Sequence, residues 1–319
     1  MDVRELVYEA RRGRPRAVAR LISLVENAIS SPGSAKALRE VMAELATGTR
    51  KPYTAKVIGL TGSPGVGKST ATGMLIKAFR RRGSRVGVLA VDPSSPFTGG
   101  ALLGDRVRMQ EHATDPGVFI RSMASRGHLG GLAWATPQAL RVLDAAGCDV
   151  ILIETVGVGQ AEVDVARLAD ATIVLLAPGM GDGIQAAKAG ILEVADVFVV
   201  NKADRDGVQA TVRELRNMVS LIDAPWRPPI VTTIASKGEG ADELLAALDK
   251  HAAYLEESGE SRRRRLARAR DEIEAVALAQ LRSRFADLHG DRLDALAERL
   301  LAADTDPYTA ADDLIAALG

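Results

Sequence analysis

Cysteine is almost missing from this chain of 319 residues: Cys148 stands alone, so no disulfide can form within it. Histidine is nearly as scarce, with four scattered residues, which excludes a Cys/His metal cage. No uncharged run approaches the roughly 18 apolar residues that crossing a membrane requires. The start, Met1-Asp2-Val3-Arg4-Glu5, lacks the apolar stretch of a signal peptide, and with a single thiol the chain reads as cytoplasmic. Excess charge of one sign is absent too: 41 basic residues face 41 acidic ones. The total therefore directs the chain neither to nucleic acid nor to a membrane surface, and weak net repulsion suits a protein that associates. There is no internal repeat or low-complexity tract.

Hydrophobic residues make up 47% of the chain, enough for a large core, and the length fits one domain with helical additions. Three regions separate by composition. Residues 1–50 are polar with helical period: Leu21, Leu24, Val25 and Ala28 fall at i, i+3, i+4 and i+7, Pro32-Gly33 interrupts, and a second short helix runs through Leu45. Residues 51–245 alternate apolar runs with helical stretches. The candidate strands are 56–61, 86–91, 118–122, 150–154, 172–177, 196–200 and 230–234. Near-continuous apolar strands separated by helices predict an α/β fold, a mostly parallel sheet covered on both faces, with chemistry at the carboxyl ends of the strands. Residues 246–319 have no strand pattern; a long helix is expected over 260–286 and shorter ones near 291–303 and 309–318.

The first strand runs into Gly62-Ser63-Pro64-Gly65-Val66-Gly67-Lys68-Ser69, which matches G-x-x-x-x-G-K-[ST] between a strand and a helix. Glycines let the backbone curl around phosphate and offer its N–H groups, and the following helix start, from Ser69-Thr70, adds partial positive charge. Lys68 is expected on the β- and γ-phosphates and the Ser69 hydroxyl on Mg²⁺. The strand at 196–200 ends in Asn201-Lys202-Ala203-Asp204, the N-K-x-D pattern. The Asp204 carboxylate matches the N1–H and 2-amino group of guanine; adenine leaves it unpaired, a heavy penalty. The Lys202 stem is expected along the base plane, and Asn201 is expected to tie this loop to the phosphate loop. Ala235-Ser236-Lys237 follows the last strand and could cap the base.

Two more strand ends carry carboxylates, Asp92 and Glu154, and a glycine-rich segment between them holds Asp105 and Arg108. Hard oxygens suit Mg²⁺, so Ser69, Asp92, Asp105 and Glu154 form the expected metal shell, Asp105 joining on closure, with an ordinary helix-terminal charge as its alternative. Glu154-x-x-Gly157 stands where many such enzymes carry Asp-x-x-Gly, and the Gly157 N–H would report the γ-phosphate. Val158 follows where a water-orienting glutamine often sits, which predicts slow turnover by the isolated chain; Gln160 is two residues beyond. A loop rich in glycine, 178–185, projects Asp182, Gln185 and Lys188, and its plain alternative is a simple connection.

The segments GSPGVGKST, VDPSSPFTGGALLGDRVRM, RSMASRGHLGG, IETVGVGQAEVDV, APGMGDGIQAAKAGI and NKAD, in this order, resemble the MeaB/ArgK family, called MMAA in animals: the methylmalonyl-CoA mutase-associated GTPases. The resemblance covers nearly the whole chain. It implies a homodimeric P-loop NTPase, joined through its C-terminal helices, that hydrolyses GTP to GDP with Mg²⁺ and holds no organic cofactor of its own. It implies a chaperone of an adenosylcobalamin-dependent acyl-CoA mutase, of the methylmalonyl-CoA or isobutyryl-CoA type, with an adenosyltransferase as a further partner. It also makes 178–188 a third switch, so that Gln185 and Lys188 join Lys68, Asp92, Asp105 and Glu154 as candidate catalytic residues, and Arg108, Gln160 and Asp182 become partner-sensing. Two other functions share the motifs. A nickel metallochaperone needs a His-rich tract that is not here, and a kinase passes the γ-phosphate to an acceptor. The run Arg262–Arg265 reads as an exposed helix start or as an anchor for a second subunit's carboxylates, and Trp134 and Trp226 as packing residues. Cys148 reads as a small buried hydrophobe and His128 as a solvated loop residue.

Overall fold

The computed structural model describes residues 2–30, 35–47, 54–92, 110–112, 114–124, 135–155, 161–179, 192–287 and 291–316. Seven strands form one wholly parallel sheet: β1 (Lys56–Thr61), β2 (Val86–Asp92), β3 (Val118–Ala124), β4 (Val150–Thr155), β5 (Ala171–Leu176), β6 (Val197–Asn201) and β7 (Ile230–Thr233), in the order β3-β2-β4-β1-β5-β6-β7. All seven expected strands are present within two residues of the expected ends. Their continuous apolar character follows from burial on both faces. Successive residues of β1 alternate between two cores: Val57 lies with Ile151, Ile153, Leu89 and Val91, and Ile58 with Leu152, Val88 and Ile173.

Helices α1 (Val3–Arg11), α2 (Pro15–Ser30) and α3 (Ala35–Thr47) precede the sheet. They bury Leu6, Val7, Leu21, Ile22, Val25 and Val41 in the first core, together with α5 (Thr136–Ala145) and α6 (Ala161–Leu168). The sequence suggested two helices here; there are three, because Gly13, at φ 72°, and Pro15 end α1 and start α2. The second core is covered by α4 (Lys68–Arg81) and α8 (Ala241–Glu257), while α7 (Val208–Ser220) covers β6 beside α6's face through Val212, Leu215 and Met218. The chain divides into two compact units, 1–264 and 265–319. The second comprises most of α9 (Glu260–Asp287) with α10 (Asp291–Leu301) and α11 (Pro307–Ala316). No helix among the described residues is long and apolar enough to cross a membrane.

The amino edge of the sheet is closed by aspartates. Asp149, Asp170 and Asp196 each stand one residue before a strand, and each clamps one residue on a neighbouring strand or its approach. Its N–H donates to that residue's carbonyl, and its carboxylate accepts that residue's N–H: Arg85 for Asp149, Val57 for Asp170, Thr172 for Asp196. Asp144 accepts from Thr54 and Ala55 in the same region. These backbone groups would otherwise be orphaned at the sheet edge. The opposite, carboxyl edge is left for chemistry.

One glycine sets how closely α6 approaches the sheet. A Cβ at Gly59, in β1, would stand 2.7 Å from Val165 Cγ2 and 3.3 Å from Ala169 Cβ. Both neighbours are buried and cannot yield cheaply. Gly59→Ala is therefore expected to lower unfolding free energy by about 1–3 kcal/mol, with Val165→Ala in the same chain recovering part of it. Urea unfolding of the two single variants and the double variant checks this; simple additivity would contradict the contact.

Candidate functional site

The site starts where β1 ends. Gly62 has φ 140°, and a Cβ there would overlap the Leu175 carbonyl on β5, so glycine alone lets the loop turn back against the sheet. Gly67 caps α4 in a left-handed conformation without a side-chain cap, which leaves the first N–H groups of α4 for another acceptor. Ser63, Pro64, Gly65 and Thr70 are at least partly exposed, whereas Val66, Lys68 and Ser69 are buried. Lys68 Nζ donates to the carbonyls of Gly62 at 2.6 Å and Ser63 at 3.1 Å, so the loop curls around its own ammonium group.

Glu154, at the carboxyl end of β4, is buried beside this loop. Ser69 Oγ donates to its Oε1 at 2.6 Å, and Thr72 Oγ1 lies 2.9 Å from its Oε2 and 3.1 Å from the Lys68 carbonyl. One hydroxyl proton is shared across the two contacts of Thr72. The arrangement brings together two of the four expected metal-shell residues, Ser69 and Glu154, with only oxygen donors, which is the chemistry a hard dication requires. Asp92 ends β2, the strand beside β4. Thr72 was not foreseen. It lies one turn after Ser69 on the same helix face, and a polar residue on a buried face was its only signal.

The N-K-x-D segment closes the site from β6. Asn201 is 3% exposed and makes three hydrogen bonds: Nδ2 donates to the Val66 carbonyl at 2.9 Å, and Oδ1 accepts from Thr233 Oγ1 and the Ala235 N–H, both at 3.1 Å. As expected, it ties its own loop to the loop of residues 62–69, and it also holds the end of β7 and the loop after it. Lys202 takes φ 58°, uncommon for a residue with a Cβ, and its Nζ donates to the Gly65 carbonyl at 2.6 Å. Its stem thus spans the gap between the two loops. Asp204, Ser236 and Lys237 are exposed on the rim, and Ala235 is buried. Thr233 was not foreseen either: the last residue of a strand carries no spacing signature.

Asp105, Arg108, His128, Trp134, Gly157, Val158, Gln160, Asp182, Gln185 and Lys188 lie outside the described residues. Away from the site, Cys148 is buried among apolar groups, and burial pushes its thiol up to about 12, so it packs as a small hydrophobe. Trp226 packs on His251 and Tyr254. Of the arginine run, Arg262, Arg263 and Arg265 are exposed, but Arg264 pairs with Asp196 of its own chain at 3.1 Å, so that residue has a partner without a second subunit.

Comparison with known proteins agrees with this geometry. A protein of Pyrococcus abyssi that carries a general GTPase name is 46% identical over 317 residues, covering 98% of this chain and 95% of that one. The mouse methylmalonic aciduria type A homolog, a mitochondrial protein, is 41% identical over 216 residues, 66% of this chain and 52% of its own. The crystal structure of an LAO/AO transport system kinase superposes with a TM-score of 0.69 at 26% identity, covering 98% of this chain and 96% of the other. The family model described as methylmalonyl Co-A mutase-associated GTPase MeaB matches residues 18–289. This chain belongs to the MeaB family of GTPases.

Proposed function

We propose that this chain hydrolyses GTP with Mg²⁺ and couples the hydrolysis to chaperoning of an adenosylcobalamin-dependent acyl-CoA mutase. The observation that carries the nucleotide reading is the bracing of residues 201–202 against the phosphate loop, at the Val66 and Gly65 carbonyls. That bracing sets the base reader at a fixed distance from the phosphate cradle, which a nucleotide requires and a simple phosphate site does not. In this reading residues 62–70 hold the phosphates through backbone N–H groups, and Lys68 moves from its own loop's carbonyls to the β- and γ-phosphates. Ser69, Glu154 and Asp92 would hold the metal, with Asp105 joining them; bound Mg²⁺ neutralises charge on the β,γ-bridging region. Water attacks the γ-phosphorus, the bond to the β,γ-bridging oxygen breaks, and GDP leaves with inorganic phosphate.

Asp204 would read guanine. Asp204→Asn is expected to lower the preference for guanine over adenine nucleotides by about 100-fold, ~2.7 kcal/mol, measured as a ratio of dissociation constants. An unchanged ratio refutes that role.

Val158 in place of a water-orienting glutamine implies a slow basal rate, raised when the partner acts on Arg108, Gln160 and the segment bearing Asp182, Gln185 and Lys188, while the Gly157 N–H reports the γ-phosphate. Apolar side chains of the second unit stay exposed on all three of its helices, among them Leu266, Ile273, Val276, Leu293, Leu301 and Tyr308. A second copy of the chain is the proposed cover. The partner is a methylmalonyl-CoA or isobutyryl-CoA mutase, with an adenosyltransferase as supplier of the cobalamin. Phosphate release from GTP, with and without each mutase, tests the coupling: about tenfold stimulation, ~1.4 kcal/mol, is expected. No stimulation by any cobalamin mutase refutes it. The kinase named among the structural relatives favours one other reading, transfer of the γ-phosphate to an acceptor. Radiolabel recovered as free phosphate, rather than on an acceptor, decides for hydrolysis.

A further inference from the structure

Three elements run side by side between two buried side chains, Asn201 at the carboxyl edge of the sheet and Asp196 at the amino edge. β6 joins them directly, over about 17 Å of extended backbone, with Val197, Phe198, Val199 and Val200 all fully buried. β7 ends at Thr233, whose hydroxyl donates to Asn201, and is preceded by Trp226, whose Nε1 donates to the Asp196 carbonyl at 2.9 Å. Just before α8, Ala235 donates its N–H to Asn201, and farther along that helix His251 brings Nε2 to 3.1 Å from Asp196 Oδ1. The His251 approach is close but off the hydrogen-bond direction, so the ring packs against the carboxylate without bonding to it.

A fourth element reaches only one of these residues. Arg264, in the first turns of α9, spans both Asp196 oxygens, Nη1 at 3.2 Å from Oδ2 and Nη2 at 3.1 Å from Oδ1, and also donates to the Asp170 carbonyl. Burial raises the Asp196 pKa, but His251 and Arg264 outweigh it and hold the carboxyl below its ordinary range, so it is charged at neutral pH. A buried carboxylate that loses its bidentate partner must shift or find another.

We infer that Arg264 is a positioning residue for guanine recognition: through Asp196 it fixes the far ends of β6, β7 and α8, and so the loops that meet at Asn201. β6 is buried along its whole length and pairs with β7, so a displacement at one end is passed to the other. Reciprocity then requires that nucleotide binding at the carboxyl edge steady the start of α9. The inference rests on the guanine-reading role given to residues 201–204.

Two measurements on the full chain test it. In Arg264→Gln the KM for GTP is expected to rise about fivefold or more with kcat within about twofold, since the phosphate loop is untouched. Arg264→Lys, which keeps the charge but cannot span both oxygens, should fall between. In the wild-type chain, GDP should slow hydrogen exchange in peptides covering 194–198 and 260–264, a readout that survives if the glutamine variant does not fold. A folded Arg264→Gln chain with wild-type KM, or exchange at those peptides indifferent to GDP, overturns the inference. A wild-type chain with no preference for guanine instead removes the reading beneath it.

Discussion

Lys68→Ala is expected to lower kcat/KM for GTP by on the order of 10³-fold, ~4 kcal/mol. Lys68 Nζ now bonds to the Gly62 and Ser63 carbonyls, within its own loop. In the proposed reaction those acceptors are exchanged for phosphate oxygens, and the buried ammonium group is already desolvated. Alanine removes the only side-chain cation of the phosphate loop. The fold should tolerate the change: Val66, Leu75 and Ile76 pack on the sheet without it, and a loss of about 1 kcal/mol corresponds to about 2–4 °C in Tm. Single-turnover phosphate release, alongside a melting curve, checks both halves. A variant that melts normally and still turns over at the wild-type rate contradicts the role assigned to Lys68.

Asn201→Ala should lose both stability and nucleotide. The side chain makes three hydrogen bonds at 3% exposure. Its removal leaves the Ala235 N–H and the Val66 carbonyl without that partner in a buried setting, at about 1–3 kcal/mol for each such group, so a total of about 2–6 kcal/mol is expected. GDP affinity should fall at least tenfold, because the two loops lose the buried one of their two ties and keep only the Lys202–Gly65 bond. Asn201→Asp isolates the donor: the carboxylate still accepts from Thr233 and Ala235 but turns an oxygen toward the Val66 carbonyl. It should therefore be nearly as weak in binding as the alanine variant. Denaturant unfolding and GDP titration measure the two effects; an Asp variant that binds GDP normally would show that the Val66 bond is dispensable.

The legible parts of this chain were those in which chemistry demands a residue type at a fixed spacing, or in which burial imposes a pattern. The tight turn after β1, with its left-handed glycines, and the buried Asn201 that ends β6 stand where their motifs put them. Two-sided burial makes β4 and β5 read as unbroken apolar runs. Thr72 and Thr233 were not legible, because a single hydroxyl that meets a carboxylate or an amide across the fold has no signature along the chain. Arg264 was misread for a similar reason: helical position alone suggested exposure, and its buried partner lies 68 residues away. The aspartates at 149, 170 and 196 do carry a pattern along the chain, an acid one residue before β4, β5 and β6.

The account depends on one guanine nucleotide lying between residues 62–70 and 201–204. Isothermal titration of the purified chain with GDP, GTP, ADP and ATP in Mg²⁺ tests this directly. The account predicts that the guanine nucleotides bind and the adenine nucleotides do so at least 100-fold more weakly, ~2.7 kcal/mol. Equal affinity for the two bases, or binding of adenine nucleotides alone, would contradict it.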